Sequence, residues 1–138
     1  MSRYLYKAKR KDNGEWVQGN ILLDIEKNKP FETYGIYPVD YVDICRIVDK
    51  ATICQCTGLK DKNGKLIWEN DIVRDGHGNF YKAFWQNNYY QFSWICVKSD
   101  VFSIGAKWNL WSFKSFEIEV IGNIFDNKEL LESEENKR

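Results

Sequence analysis

Four dipeptides, Asn13-Gly14, Asn63-Gly64, Asp75-Gly76 and His77-Gly78, interrupt segments rich in β-branched and aromatic residues and constrain this chain more than anything else in it. Asn-Gly and Asp-Gly suit the positive φ angles of tight hairpin turns, so a hairpin is expected at each. The flanking segments alternate with period two. Tyr4, Tyr6 and Ala8 stand against Lys7 and Lys9, and Phe116, Ile118 and Val120 against Glu117 and Glu119, which gives each strand one wet face. Further strands are expected over 15–23, 52–57, 65–74, 79–86, 89–98 and 108–113, with Asn87-Asn88 turning 80–85 onto 90–96. About eight to ten strands at this spacing suit a barrel or a sandwich.

Two stretches break the pattern. Residues 24–38 hold both prolines and read as a long, mobile connection between an N-terminal hairpin and the main β unit. After Phe125, Asp126 can cap a helix and Glu129 stands at the capping-box position, so a short C-terminal helix is expected, with 133–138 a frayed, solvated tail. The expected organisation is therefore an N-terminal β segment over 1–57, a β-barrel segment over 58–125 that can share a core with it, and a helix with a charged tail over 126–138. No internal repeat is visible.

At 138 residues the chain can bury a core without disulfides or metal. Its six Trp, eight Tyr and eight Phe exclude disorder and favour pleated, half-buried surfaces. Twenty basic residues balance twenty acidic ones, which excludes a global field for phosphate backbones or anionic lipid, so nucleic-acid binding would need a local patch. Without an apolar leader or a run of roughly 18 apolar residues, a cytoplasmic protein with no membrane partner is expected. In that compartment Cys45, Cys54, Cys56 and Cys96 are read as free thiols.

Residues 55–73, with Thr57, Gly58, Leu59, Asp61, Gly64, Asp71, Ile72 and Val73, and residues 118–132, with Gly122 and Asn123, resemble the signature stretches of the YopX family. Residues 13–19 resemble that family's N-terminal hairpin, leaving 27–37 and 99–113 unmatched. The resemblance implies a mainly β fold, an SH3-like barrel with an additional N-terminal hairpin segment and a short C-terminal helix. It also implies a phage or prophage accessory protein of the bacterial host cytoplasm, and it carries no catalytic residue list. Two departures stand out. Asn70 occupies a place where the family usually has Gly, a turn Asn can sustain because it tolerates left-handed angles. Cys56 is not associated with the family at its position, which argues against shared thiol or metal chemistry. Turn chemistry and core contacts are enough to explain such a signature.

Cys54 and Cys56 share a strand face and could join Cys45, Cys96 or His77 around zinc, but the spacing is no zinc-knuckle pattern and buried thiols are the favoured reading, with no cofactor. His77 sits on a turn with no nameable nucleophile or acid beside it, and Glu69, Asp71, Asp75 and Asp100 show no spacing that selects a metal or glycosidase site. For Asp71, hydrogen bonding to turn amides is expected. Tyr81, Lys82, Trp85, Tyr89, Tyr90 and Trp94 share one expected hairpin, followed by Lys107, Trp108, Trp111 and Lys114. Tyr81, Lys82, Trp85, Tyr89 and Trp94 are the candidate nucleic-acid surface, because aromatic faces stack on bases. Arg3, Lys7, Lys9, Arg10 and Lys11 are a candidate phosphate-contacting edge, or simply a lysine-protected edge strand. The leading expectation is a non-enzymatic protein that binds a host or phage protein. A nucleic-acid module is the alternative, and self-association is left open.

Overall fold

The computed structural model describes residues 5–22, 34–38 and 45–132. It is mainly β, with two antiparallel sheets and one short helix, and the chain divides into two compact units, Met1–Cys56 and Thr57–Arg138. Tyr4, Arg3, 24–33 and 133–138, on which some of the expectations above fall, lie outside the described residues.

In the first unit, β1 (Tyr6–Lys9), β2 (Trp16–Leu22), β3 (Tyr34–Pro38) and β4 (Arg46–Val48) run as an antiparallel meander. Gly14, at φ +74°, closes the first turn by donating its N–H to Arg10 O at 2.9 Å, as the Asn13-Gly14 pair predicts. A 3₁₀ turn over Lys50–Thr52 follows, capped by the Asp49 carboxylate on Ala51 N at 3.0 Å. Then β5 (Cys54–Lys60) returns to β1, with Tyr6 opposite Gln55. Lys11 N donates to Ile47 O at 3.0 Å and Asp49 N to Lys9 O at 2.8 Å, tying β4 to the end of β1. Ala8, Ile36 and Val48 form the core, flanked by Tyr6, Val17, Tyr34 and Ile53.

This arrangement corrects two expectations. Residues 34–38 are a strand and not part of a connection, because Ile36 is driven into the core opposite Ile21 and Pro38 falls at the strand's last position, where its missing N–H costs least. Nor is β1 an edge strand, since β2 and β5 flank it. Lys7 and Lys9 lie over the Trp16 ring, at 4.6 and 5.5 Å from its centroid, and Arg10 pairs with Asp12, so these cations have neighbours of their own.

The second unit takes the end of β5, then β6 (Leu66–Trp68), β7 (Asp71–Arg74), β8 (Phe80–Gln86), β9 (Gln91–Lys98), β10 (Lys107–Asn109), 3₁₀ turns over Leu110–Ser112 and Ser115–Glu117, β11 (Glu119–Asn123) and helix α1 (Glu129–Glu132). Its sheet order is β10-β9-β8-β7-β11. From β7 to β11 it follows the path of the first unit again: a four-strand meander, an irregular 3₁₀ stretch, and a fifth strand laid beside the first. The repeat is one of topology, with no trace in the sequence. The strand ladders end at β10 and β11 and do not by themselves close a barrel. The core comprises Ile67, Val73, Tyr81, Ala83, Trp94, Cys96 and Ile118.

Three strand boundaries differ from expectation for local reasons. The expected strand over 65–74 breaks into β6 and β7 at Asn70, whose φ of +71° shows the left-handed turn surviving without Gly. Residues 110–112 curl into a 3₁₀ turn after only three strand residues. Phe116, expected to alternate inward, lies on the 3₁₀ turn before β11 and is 73% exposed. The C-terminal helix exists but starts at Glu129, and Asp126 instead accepts from Asn123 Nδ2 at 3.2 Å.

Candidate functional site

The signature residues are mostly structural pins. Asp61 is buried, and its Oδ1 accepts from Asn63 N and Lys65 N, each at 2.9 Å, while its Oδ2 accepts from Val120 N at 2.9 Å. One carboxylate thus closes the Asn63-Gly64 turn and ties it to the outer side of β11, covering an edge that would otherwise offer an unpaired N–H. Asp71 accepts from Trp68 N at 2.9 Å across the Asn70 turn, the role expected of it. Thr57 Oγ1 donates to Ile67 O at 2.7 Å. Asn123 Oδ1 accepts from Phe125 N and Asp126 N, both at 2.9 Å. Gly122 leaves room for the Asn127 side chain, whose Oδ1 would stand 2.5 Å from an added Cβ and which accepts from Asn123 N at 3.1 Å. Ile72 and Val73 are fully buried.

Between the Asp75 turn and the two 3₁₀ turns lies a cleft of about 620 Å³. Its floor is Tyr81, whose ring meets Trp108 edge-on at 5.3 Å and Phe113 at 4.7 Å. The phenol donates to Asp75 Oδ2 at 2.9 Å, and Asn79 Nδ2 donates to the same oxygen at 2.9 Å. Asp75 Oδ1 accepts from His77 N at 2.9 Å and Asn79 N at 3.0 Å. Burial alone would raise the Asp75 carboxyl, but these four donors outweigh it and hold the group below the ordinary carboxylate range. Burial and the bond to Asp75 push the Tyr81 phenol the other way, above its ordinary value.

The same network sets the apolar rim. Asn79 Oδ1 accepts from Ser99 Oγ at 2.6 Å, and that hydroxyl oxygen in turn accepts from Val101 N at 2.9 Å and Phe102 N at 2.8 Å. Phe116 is placed by the turn that Glu117 Oε1 closes on Lys114 N at 2.9 Å. Opposite them, Arg74 grips Glu119 Oε1 at 2.6 Å, with Lys62 at 3.9 Å from the other oxygen. The bond from Arg74 keeps the Glu119 carboxyl below its usual range.

Sequence reasoning placed His77 on an exposed turn, and there it stands, at the cleft mouth. It did not single out Phe102 or Phe113, and it read Phe116 as an inward strand residue. The one signal available was the concentration of aromatic residues in 99–116, a stretch otherwise poor in regular pattern. Of the five residues of the candidate nucleic-acid surface, two are corrected. Tyr81 and Trp94 are both 0% exposed, because the β8–β9 register points them into the core with Ala83 and Cys96. Lys82 is half-buried on β8, while Trp85 and Tyr89 reach solvent at the hairpin end. Cys54, Cys56 and Cys96 are buried, and no group of three or more metal-ligating side chains forms among the described residues.

The model of the family described as YopX protein matches residues 5–132, nearly the whole chain and with bounds that take in the previously unmatched 99–113. The chain belongs to the YopX family. No curated protein matches it. In this YopX-family chain no helix among the described residues is long and apolar enough to cross a membrane.

Acid sensitivity tests the carboxylate pins. Both Asp61 and Asp75 are held below the ordinary range: for Asp61 too, burial acts upward and the three backbone amides more than offset it. A depressed folded pKa contributes stability that is present above the unfolded value of about 3.9 and is lost as pH falls through the folded one. The urea midpoint should therefore be flat above about pH 5 and fall steadily below about pH 4. A midpoint unchanged down to about pH 2.5 would contradict the pinning described here.

Proposed function

We propose that this protein acts by binding and not by catalysis, and that the cleft over Tyr81 receives an apolar side chain from an extended segment of a partner protein. The observation that carries this reading is the rim itself, where Val101, Phe102 and Phe116 stand exposed around one concavity on an aromatic floor. Aromatic anchors in a pocket dominate protein-binding energetics, and contiguous exposed apolar surface marks interaction sites. Arg74 and Lys62 pair with Glu119, while Asp75 and Glu117 accept hydrogen bonds within their own turns, so the charged groups of the lining are engaged among themselves, which suits a neutral side chain better than a charged one. Binding is favoured over catalysis because Asp75 already has four donors and Glu119 is ion-paired, so neither is poised as a base.

The strand order of each unit, with its fifth strand beside the first after a 3₁₀ turn, supports an SH3-like barrel as the ancestral plan. A phage or prophage accessory role in the bacterial cytoplasm fits the family, with a host or phage protein as partner.

Selection of displayed random peptides on the immobilised protein tests this. Enriched peptides should share an aromatic or aliphatic anchor, and Phe116→Asp should reduce their binding by at least about tenfold with thermal stability unchanged. No enrichment, or enrichment indifferent to Phe116→Asp, would remove the cleft from consideration.

A further inference from the structure

At the far end of the β8–β9 hairpin lies a second, shallower pocket of about 320 Å³, lined by Gln86, Tyr89, Gln91, Lys107, Trp108, Asn109 and Ser112, with no carboxylate among them. We infer that this pocket binds a base of single-stranded nucleic acid, stacked on Tyr89 and read by the side-chain amides, with Lys107 on the adjoining phosphate. The site is independent of the cleft proposed above.

Three observations carry it. The amides are held in fixed roles by a short relay: buried Ser93 donates its hydroxyl to Gln86 Oε1 at 2.8 Å, and Gln91 Nε2 donates to Asn109 Oδ1 at 2.8 Å and to Ser93 Oγ at 3.3 Å. That leaves Gln86 Nε2 and Asn109 Nδ2 as donors and Gln91 Oε1 as an acceptor, a mixed pattern of the kind a base edge presents. Beside this polar centre stands an aromatic face that the core does not use: Tyr89 lines the pocket and is 67% exposed. Tyr90 holds a left-handed φ of +51° that closes the four-residue turn between Gln86 and Gln91, the turn that carries Tyr89.

Charge is the third observation. The chain is neutral, but between Asp75 and Glu117 it carries Lys82, Lys98, Lys107 and Lys114 against the single acid Asp100. Of these lysines Lys107 lines the pocket, and with no carboxylate beside it there it is the cation available to a phosphate. A duplex would bury its base edges away from Tyr89, whereas a single strand offers a base face for stacking.

The test is fluorescence anisotropy with labelled single-stranded DNA and RNA of roughly 12 nucleotides, and a duplex of the same length, in about 50 and about 200 mM salt. Saturable binding to a single strand is expected, weaker at the higher salt and weaker still for the duplex. Tyr89→Ala should weaken binding by about 5- to 100-fold, and Lys107→Gln should lower the salt slope by about one. Phe116→Asp, in the cleft, should leave oligonucleotide binding unchanged, which separates failure here from failure of the peptide-binding reading. Circular dichroism of each variant excludes misfolding. The inference is overturned by absence of saturation at low salt, by wild-type affinity in both Tyr89→Ala and Lys107→Gln, by a duplex bound as tightly as the single strand, or by binding of neutral oligosaccharides with none of the nucleic acids.

Discussion

Replacing Trp94 with alanine is expected to destabilise the second unit by about 3–5 kcal/mol, the largest effect of any single truncation in it. Trp94 is fully buried, its ring meets Phe113 edge-on at 6.0 Å, and its Nε1 donates to Leu110 O at 3.2 Å. Truncation removes the packing of a large ring, leaves a cavity that a β sheet relaxes into poorly, and orphans the Leu110 carbonyl just where the chain leaves β10 for its 3₁₀ turn. Trp94→Phe isolates the last contribution, since it keeps most of the ring volume and loses the N–H, and should cost about 1–2 kcal/mol. By contrast Trp85→Ala, on the same hairpin but partly exposed and in contact with Phe92, should cost only about 1 kcal/mol. Five of the six tryptophans lie in the second unit, so denaturant unfolding followed by tryptophan fluorescence reports mainly on it. A Trp94→Ala midpoint within about 1 kcal/mol of wild type would contradict its place in the core.

Asp61→Ala should come next, at about 2–4 kcal/mol, although it deletes only one small polar group. Its two oxygens satisfy three backbone amides, on Asn63, Lys65 and Val120, and hydrogen bonds to a charged acceptor are the strong ones. Without them the turn between β5 and β6 loses its closure and β11 exposes an unpaired amide on its outer side. Asp61→Asn keeps one oxygen for the Asn63 and Lys65 amides and should recover about half of the loss. Asp61→Ala should also flatten the acid limb of the stability profile, because one of its two principal carboxylates is gone. An alanine variant as stable as wild type, with an unchanged acid limb, would show that the carboxylate is incidental.

Turns were the most legible part of the chain, because their chemistry is local. Gly14, Gly64 and Gly78 all take positive φ, and Asn70 does so where glycine was the expected residue. The partition of the aromatics was not legible. Tyr81 and Trp85 sit four residues apart on β8 and so share a face, yet one is at the centre of the core and the other reaches solvent, because Trp85 lies at the hairpin end opposite Phe92, beyond the last core pair of Ala83 and Trp94. Likewise Phe116 alternates with charged neighbours as a strand residue would, but a 3₁₀ turn intervenes and swings it to the rim of the cleft. Residues 34–38 were obscured by Pro38, which weakens a strand signal without abolishing it at a strand's end. The cleft and the amide pocket both depend on residues far apart in sequence, such as Gln86 with Asn109 and Asn63 with Glu119, and periodicity carries no information at that range.

In each five-strand path, β1 to β5 and β7 to β11, the first strand is the neighbour of the last: Tyr6 faces Gln55, and Asp71 faces Asn123. A fold whose ends emerge side by side behaves as a cassette. It can be copied in tandem through a short joint, or spliced into a loop of another protein, without threading chain through what is already built. The recurrence of one strand path twice in 138 residues is what such portability would leave behind.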